Sequence, residues 1–272
     1  MIINKQWRIL TIGDGDLSFS NALLKNHQPA SLTATVYDSL TTLSGKYGDQ
    51  FYQQLKAQNI PVQFEVDICN KNSWAGLARN SFDLVIFQFP LLPAFSSFSE
   101  YKNRCADSNP NILNRRLLRS FLINSSDHFL DPNGQQLCFI TSKDVKPYRQ
   151  WNIENALHLQ SDIHYLGSTP FDIKMFPGYK VRNVDRDKHV KDTKGLTYVW
   201  SKQKKHAIAE KLQAAQYQGD NYCTACRAGP FSTKLDEIEH KQSKKHLQMM
   251  EFERLWQTDI ASNNPPQGSQ EG

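Results

Sequence analysis

Ile9-Leu10-Thr11-Ile12-Gly13-Asp14-Gly15-Asp16-Leu17-Ser18-Phe19-Ser20 is the stretch on which the fold turns. An apolar, β-branched run stops at two glycines and two carboxylates, then a Ser-rich turn enters a helix-forming segment. A strand that ends in a glycine turn and a helix start is how a nucleotide-type cofactor site begins in an open α/β fold. Gly13 and Gly15 allow the backbone to approach a ligand, and the helix start offers N–H groups. Asp14 and Asp16 repel a pyrophosphate and favour a cationic cofactor such as S-adenosylmethionine.

Outward from this turn, apolar runs alternate with helical patterns as far as residue 200. Residues 7–13, 32–38, 62–68, 82–89 and 136–142 read as five strands. Residues 18–26, 40–58, 70–79, 111–130 and 150–160 read as the helices between them. Such alternation predicts an α/β fold with a mostly parallel sheet covered by helices on both faces. Two later runs, 163–171 and 196–201, are placed as a terminal pair closing the sheet. Strands two and three end at Asp38 and Asp67, where a carboxylate can meet a ribose or an adenine amino group. Each could also merely cap the next helix. Strand four ends in Gln88-Phe89-Pro90 at the same carboxyl edge, and Gln88 is expected on the cofactor side.

The chain has 272 residues, 39% hydrophobic and 22% charged, an ordinary globular composition with room for one large core and a small appendage. It has no apolar run of membrane-spanning length and no secretory leader pattern, so an intracellular protein is expected: cytoplasmic in a bacterium, nucleolar in a eukaryote. Cys69, Cys105 and Cys138 are scattered and read as small buried hydrophobes of a reducing compartment. The net charge of +5 is unevenly placed. Between Lys174 and Lys205 stand ten Lys or Arg against three Asp, which points to an anionic partner such as RNA, or to a solvated basic loop.

Near the C-terminus, Cys223-x2-Cys226-x13-His240-x5-His246 has the ligand spacing of a closed, structural zinc site. Residues 236–250 are strongly helix-forming, which puts both histidines on one helix. The competing reading is a redox CxxC pair, which usually opens a βαβ unit, and this one does not. The organisation read from the chain is a Rossmann-like domain over 1–203, a helical linker over 204–220, a C2H2-type finger over 221–256 and a disordered tail over 257–272. The His spacing and Ser243-Lys244-Lys245-His246 resemble the U1-like class of fingers.

The blocks ILTIGDGDLSFSNAL, FDLVIFQFP, NRRLLRSFLINSSDHFLDPNGQQLCFIT, KPYRQWNI and PGYKVRN, in this order across residues 7–185, resemble the rRNA uridine-N3 methyltransferase family. That resemblance implies a Rossmann-like, S-adenosylmethionine-dependent class I methyltransferase acting on an RNA base. It implies cofactor contacts at Gly13, Asp14, Gly15, Asp16 and Ser18 and, by fold position, at Asp38 and Asp67. The chain departs from the family pattern at Leu91, where a His is usual, and at Val181-Arg182, where a His-Arg pair is usual.

Methylating a pyrimidine N3 requires loss of its proton and access to an unstacked base. Phe89 and Pro90 are candidates for one face of the base slot, and Tyr148, Trp151 and Tyr179 for the other. Asp144 is the candidate proton acceptor, with Lys143, Lys146, Arg149 and Arg182 as phosphate or oxyanion contacts. Core packing is the competing role for the aromatics. Two other functions remain open: an RNA-binding adaptor on a degenerate methyltransferase fold, and a dinucleotide-dependent oxidoreductase, which Asp14 and Asp16 disfavour.

Overall fold

A computed structural model describes residues 1–92, 97, 99, 102, 109–182 and 195–263. The expected Rossmann-like sheet is present, with seven strands in the order β3-β2-β1-β4-β5-β7-β6. These are β1 (Arg8–Ile12), β2 (Ser31–Thr35), β3 (Val62–Gln63), β4 (Leu84–Gln88), β5 (Leu137–Lys143), β6 (His164–Phe171) and β7 (Gly195–Ser201). β1 to β5 run parallel. β7 is antiparallel to both β5 and β6, so the two late runs do close the sheet as a pair.

The central strands are apolar throughout because both sheet faces are covered. Leu10, Ile12, Val85, Phe87, Cys138 and Ile140 point into one core, under helix α4 (Pro110–His128) through Leu118, Phe121 and Leu122. Ile9, Leu84, Ile86, Leu137 and Phe139 point into the other, against Phe19 and Leu23 of helix α1 (Ser18–His27).

Several elements are shorter than the periodicity predicts, each for a local reason. The helix expected over 40–58 is two helices, α2 (Leu40–Tyr47) and α3 (Gln50–Ala57), separated at Gly48 with φ 76°. β3 stops after Gln63 because Glu65 takes φ 59°; Val66 N–H then rejoins Val36 O at 3.0 Å. The helix expected over 70–79 is a 3-10 turn, Lys71–Trp74, tied down by the Trp74 indole N–H on Asp67 O. Over 150–160 there is a 3-10 turn at Tyr148–Trp151 and a single helical turn, α5 (Ile153–Ala156).

The C-terminal third departs more. Residues 204–220 are not a helical linker. A 3-10 turn, Ala207–Lys211, buries Ile208 in the main core, and Gln213 pairs with Ser168 of β6. The sequence then forms α6 (Lys234–Gln242) and α7 (Lys244–Asn263), split at Ser243, so His240 and His246 lie on different helices. Thr233 and Asp236 form a reciprocal capping box at the start of α6. Residues 257–263, expected in a disordered tail, continue α7: Trp256 and Ile260 pack on Ile112 and Ala156 in a separate apolar cluster. The C-terminal Cys/His unit is therefore docked onto the sheet domain through α7 rather than hung from it. Cys138 is buried as expected, whereas Cys69 is exposed; residues 183–194, which hold much of the basic segment, and Cys105 lie outside the described residues.

Candidate active site

A cavity of about 270 Å³ opens at the carboxyl ends of β1, β2, β3 and β4. It spans the switch point between β1 and β4, where open α/β sheets bind ligands. Gly13, Asp14, Gly15, Asp16, Asp38, Asp67, Gln88, Phe89 and Pro90 all line it. Nine of the proposed site residues thus converge from four strand ends.

Gly13 sits at φ 60°, and a Cβ there would meet Phe87 Cε2 at 3.0 Å, so close approach and left-handed backbone both call for glycine. Asp14 and Asp16 have a first duty the sequence reading did not assign. Leu17, at the start of α1, has φ 65° and no side chain able to cap. Asp16 Oδ1 accepts from Ser18 N–H at 3.0 Å and Asp14 Oδ2 accepts from Ser20 N–H at 2.7 Å. The N–H groups expected to be free for a ligand at this helix start are therefore taken in part by the turn's own carboxylates. Burial, reinforced by neighbouring Asp16, pushes the Asp14 carboxyl up to about 7. Asp16 Oδ2 also receives Arg182 Nε at 2.7 Å, and the Arg182 guanidinium lies 5.1 Å over the Tyr47 ring.

Ser18 is placed differently from expectation. It is buried outside the cavity wall, and its Oγ accepts from Lys180 N–H at 3.1 Å. Its contact ties the 179–182 segment to the turn, so it shapes the cavity without facing it. Asp38 pairs with Lys46 Nζ at 2.9 Å, and Asp67 accepts from Cys69 N–H at 2.8 Å. Gln88 is the unsatisfied member: its amide Oε1 and Nε2 are both buried and have no hydrogen-bond partner among the described residues. Phe89, at φ 46°, turns its ring edge-on to Phe171 at 5.4 Å and forms a half-buried wall beside Pro90 and Leu91. Tyr179 also lines the cavity, 5.2 Å from Phe19.

Asp144 and Tyr148 are not brought to this cavity. Asp144 is held by Arg149 at 2.9 Å and by Arg227 at 2.6 Å. The hydrogen bond from Arg149, with the charge of Arg227, keeps its carboxyl below the usual carboxylate range, which corrects its reading as a proton acceptor. Tyr148 packs 4.8 Å from Trp151 on the core cluster that Leu91 also touches, and Trp151 is fully buried. Core packing is their role here. Lys46 and Tyr47 on the cavity wall were missed, as was Tyr37 beside Asp38. Tyr37, next to the carboxylate at the end of β2, had a positional signal; the other two come from a helix whose face no local pattern marks.

The four residues expected as zinc ligands, Cys223, Cys226, His240 and His246, come together, their candidate ligand atoms all within 4.8 Å of one another. His246 Nδ1 lies 3.5 Å from Cys223 Sγ, 3.6 Å from Cys226 Sγ and 3.2 Å from His240 Nε2. A tetrahedral zinc with ordinary bond lengths sets sulfur and nitrogen ligands about 3.5 Å apart and two nitrogens about 3.3 Å apart. One ring nitrogen cannot satisfy three such neighbours by hydrogen bonding. Between Cys226 and Ala228, Arg227 reaches out of the knuckle to Asp144 and, at 3.6 Å, to Glu154.

Against known proteins, the model of the BMT5-like family, described as rRNA (uridine-N3-)-methyltransferase BTM5-like, matches residues 10–183. The chain belongs to that family. It is an S-adenosylmethionine-dependent RNA methyltransferase, as its cavity and its blocks of sequence implied. An uncharacterized protein of Arabidopsis thaliana is 29% identical over 190 residues, covering 66% of this chain and 87% of the relative. The 25S rRNA (uridine(2634)-N(3))-methyltransferase of Saccharomyces cerevisiae is 24% identical over 251 residues, 74% of each chain. The heavy metal-associated isoprenylated plant protein 41 of Arabidopsis thaliana is 25% identical over 217 residues, covering 77% of this chain and 40% of the relative. Among the described residues no helix is long and apolar enough to cross a membrane.

Proposed function

We propose that this methyltransferase acts on N3 of a uridine in ribosomal RNA, with a zinc-bound finger as part of its RNA-facing structure. The convergence of Asp14, Asp16, Asp38 and Asp67 with Gln88, Phe89 and Pro90 on one cavity carries the reading. Carboxylates on the β1–β3 side suit a nucleoside with a cationic amino-acid tail: Asp38 faces its ribose, Asp67 its base, and Gly13, Asp14 and Gly15 its tail. The cofactor supplies a methyl group on a sulfonium. The protein binds both partners and aligns N3 with that methyl, and positioning of this kind can supply most of the acceleration. Phe89, Pro90 and Leu91 form the wall against which the flipped pyrimidine rests.

The finger's four ligands suit zinc by donor type and spacing, and with no open position its role is structural. Lys244 and Lys245 on α7 offer an exposed basic start beside it. An rRNA substrate places the protein where ribosomes are assembled, the nucleolus in a eukaryote.

Nucleoside mass spectrometry of ribosomal RNA tests the reading. Cells lacking the protein should lose one 3-methyluridine, restored by the wild-type chain and not by Asp38→Ala. An unchanged 3-methyluridine content overturns it.

A further inference from the structure

Gln88 has no assigned partner, and its position is specific. It is the last residue of β4, one step beyond Phe87, which pairs with Ile12 across the switch point and touches the Gly13 turn. The carboxylates suited to a cationic nucleoside come from β1, β2 and the chain after β3. Gln88 comes from the opposite side of the crevice, next to Phe89, Pro90 and Leu91. Both polar atoms of its amide are buried and have no partner among the described residues. A buried polar group left without a partner costs about 1–3 kcal/mol, a cost that a ligand completing the amide would offset.

Resting on the uridine-N3 reading, we propose that the Gln88 amide is a catalytic group that donates Nε2–H to a carbonyl oxygen flanking N3 of the target uracil. The chemistry demands a donor there. When N3 gives up its proton to solvent, the negative charge spreads onto O2 and O4. N3 then forms its bond to the methyl carbon as the carbon–sulfur bond breaks, with that bonding pair staying on sulfur. A donor at one carbonyl stabilises the anion before and during attack and leaves the N3 edge open toward the methyl. A group sitting on N3 itself would block transfer, so an amide beside the reacting nitrogen is the arrangement that both recognises and activates it. The same donor favours an imide base, whose anion is shared by two carbonyls, over bases that present an amino group at that position.

The test uses the full chain, S-adenosylmethionine, and ribosomal RNA purified from cells lacking the protein. Gln88→Leu keeps the size and removes the donor; Gln88→Glu replaces it with an acceptor. Single-turnover methylation should fall about 10²–10³-fold in Gln88→Leu, the loss seen when one oxyanion donor is removed. It should fall further in Gln88→Glu. The rise of rate with pH should move to higher pH in Gln88→Leu, a shift that a purely structural role would not cause, while cofactor affinity by calorimetry stays within about twofold of wild type. A Gln88→Leu protein with wild-type rate and pH profile overturns the inference. So does a loss of cofactor affinity matching the loss of rate, which would make Gln88 a cofactor contact. A wild-type chain that binds the cofactor but methylates no uridine refutes the underlying reading instead.

Discussion

Removing the Glu253 carboxylate, as in Glu253→Ala, strips the charged partner from a fully buried guanidinium. Arg115 of α4 is 0% exposed at its side chain, and its Nη2 donates to Glu253 Oε1 of α7 at 2.7 Å; Glu253 is 14% exposed. Glu253 also accepts from Asn152 Nδ2 at 3.1 Å. Breaking a buried pair by deleting one member costs about 3–5 kcal/mol, because the other charge stays buried. Arg115 retains one bond, Nη2 to Gln150 O at 2.8 Å, which places the expected loss near the lower end, about 3 kcal/mol. For a chain of this size that corresponds to roughly 6–12 °C in melting temperature. Paired replacement, Arg115→Met with Glu253→Met, removes both charges and should recover most of the loss. Denaturant unfolding of the full-length single and double variants, followed by circular dichroism, measures the cycle. If Glu253→Ala unfolds within about 0.5 kcal/mol of wild type, or the double variant is no better than the single, α7 is not docked on α4 as described.

Three further outcomes are expected. Gly13→Ala forces a Cβ into left-handed backbone at about 1–2 kcal/mol and presses it on Phe87; calorimetry should show at least a tenfold loss of S-adenosylmethionine affinity, and undiminished affinity would contradict the cavity assignment. Purified protein should carry one equivalent of zinc, lost in Cys223→Ser, and metal analysis that finds none in wild type refutes the finger. Asp14, at 3.8 when unfolded and about 7 when folded, holds a proton in the native state across that window that the unfolded chain has released. Stability is thus greatest below the unfolded value and declines as pH rises through about 7, by at most on the order of 4 kcal/mol; Asp14→Asn should flatten this decline in melting scans from pH 4 to 8.

The sheet was legible because its strands are buried on both faces, which leaves runs such as Leu84–Phe87 apolar at every position. Positions at strand ends were legible for the same reason: once β1, β2 and β4 are placed, Gly13, Asp38 and Gln88 share one edge. What failed depended on single backbone angles or distant contacts. Glu65 at φ 59° cuts β3 short, yet Glu carries no turn signature. Trp256 is 0% exposed, with its indole N–H on Ala156 O at 2.8 Å, but in sequence it belongs to a polar stretch beside a low-complexity tail. Arg227 reads as an ordinary surface residue just after the CxxC pair, and only the fold brings it to Asp144. Asp144 itself was misjudged because a carboxylate on a loop looks the same in sequence whether it faces a substrate or two arginines.

The Gly13–Ser20 turn shows why a right conclusion can rest on an incomplete cause. Charge repulsion by Asp14 and Asp16 was the reason to reject a pyrophosphate, but Asp16 is offset by Arg182 and the Asp14 carboxyl is pushed up to about 7. Repulsion alone is therefore weaker than two full charges suggest. A phosphate binds a helix start through exposed backbone N–H groups. At α1 the Ser18 and Ser20 N–H groups are already bonded to Asp16 and Asp14, so a pyrophosphate would have to displace internal caps. A cofactor with an ammonium and ribose hydroxyls instead brings donors to carboxylates that retain spare acceptor capacity. On the proposed cofactor placement, the turn selects its ligand by occupying its own donors, and the surviving negative charge reinforces that choice.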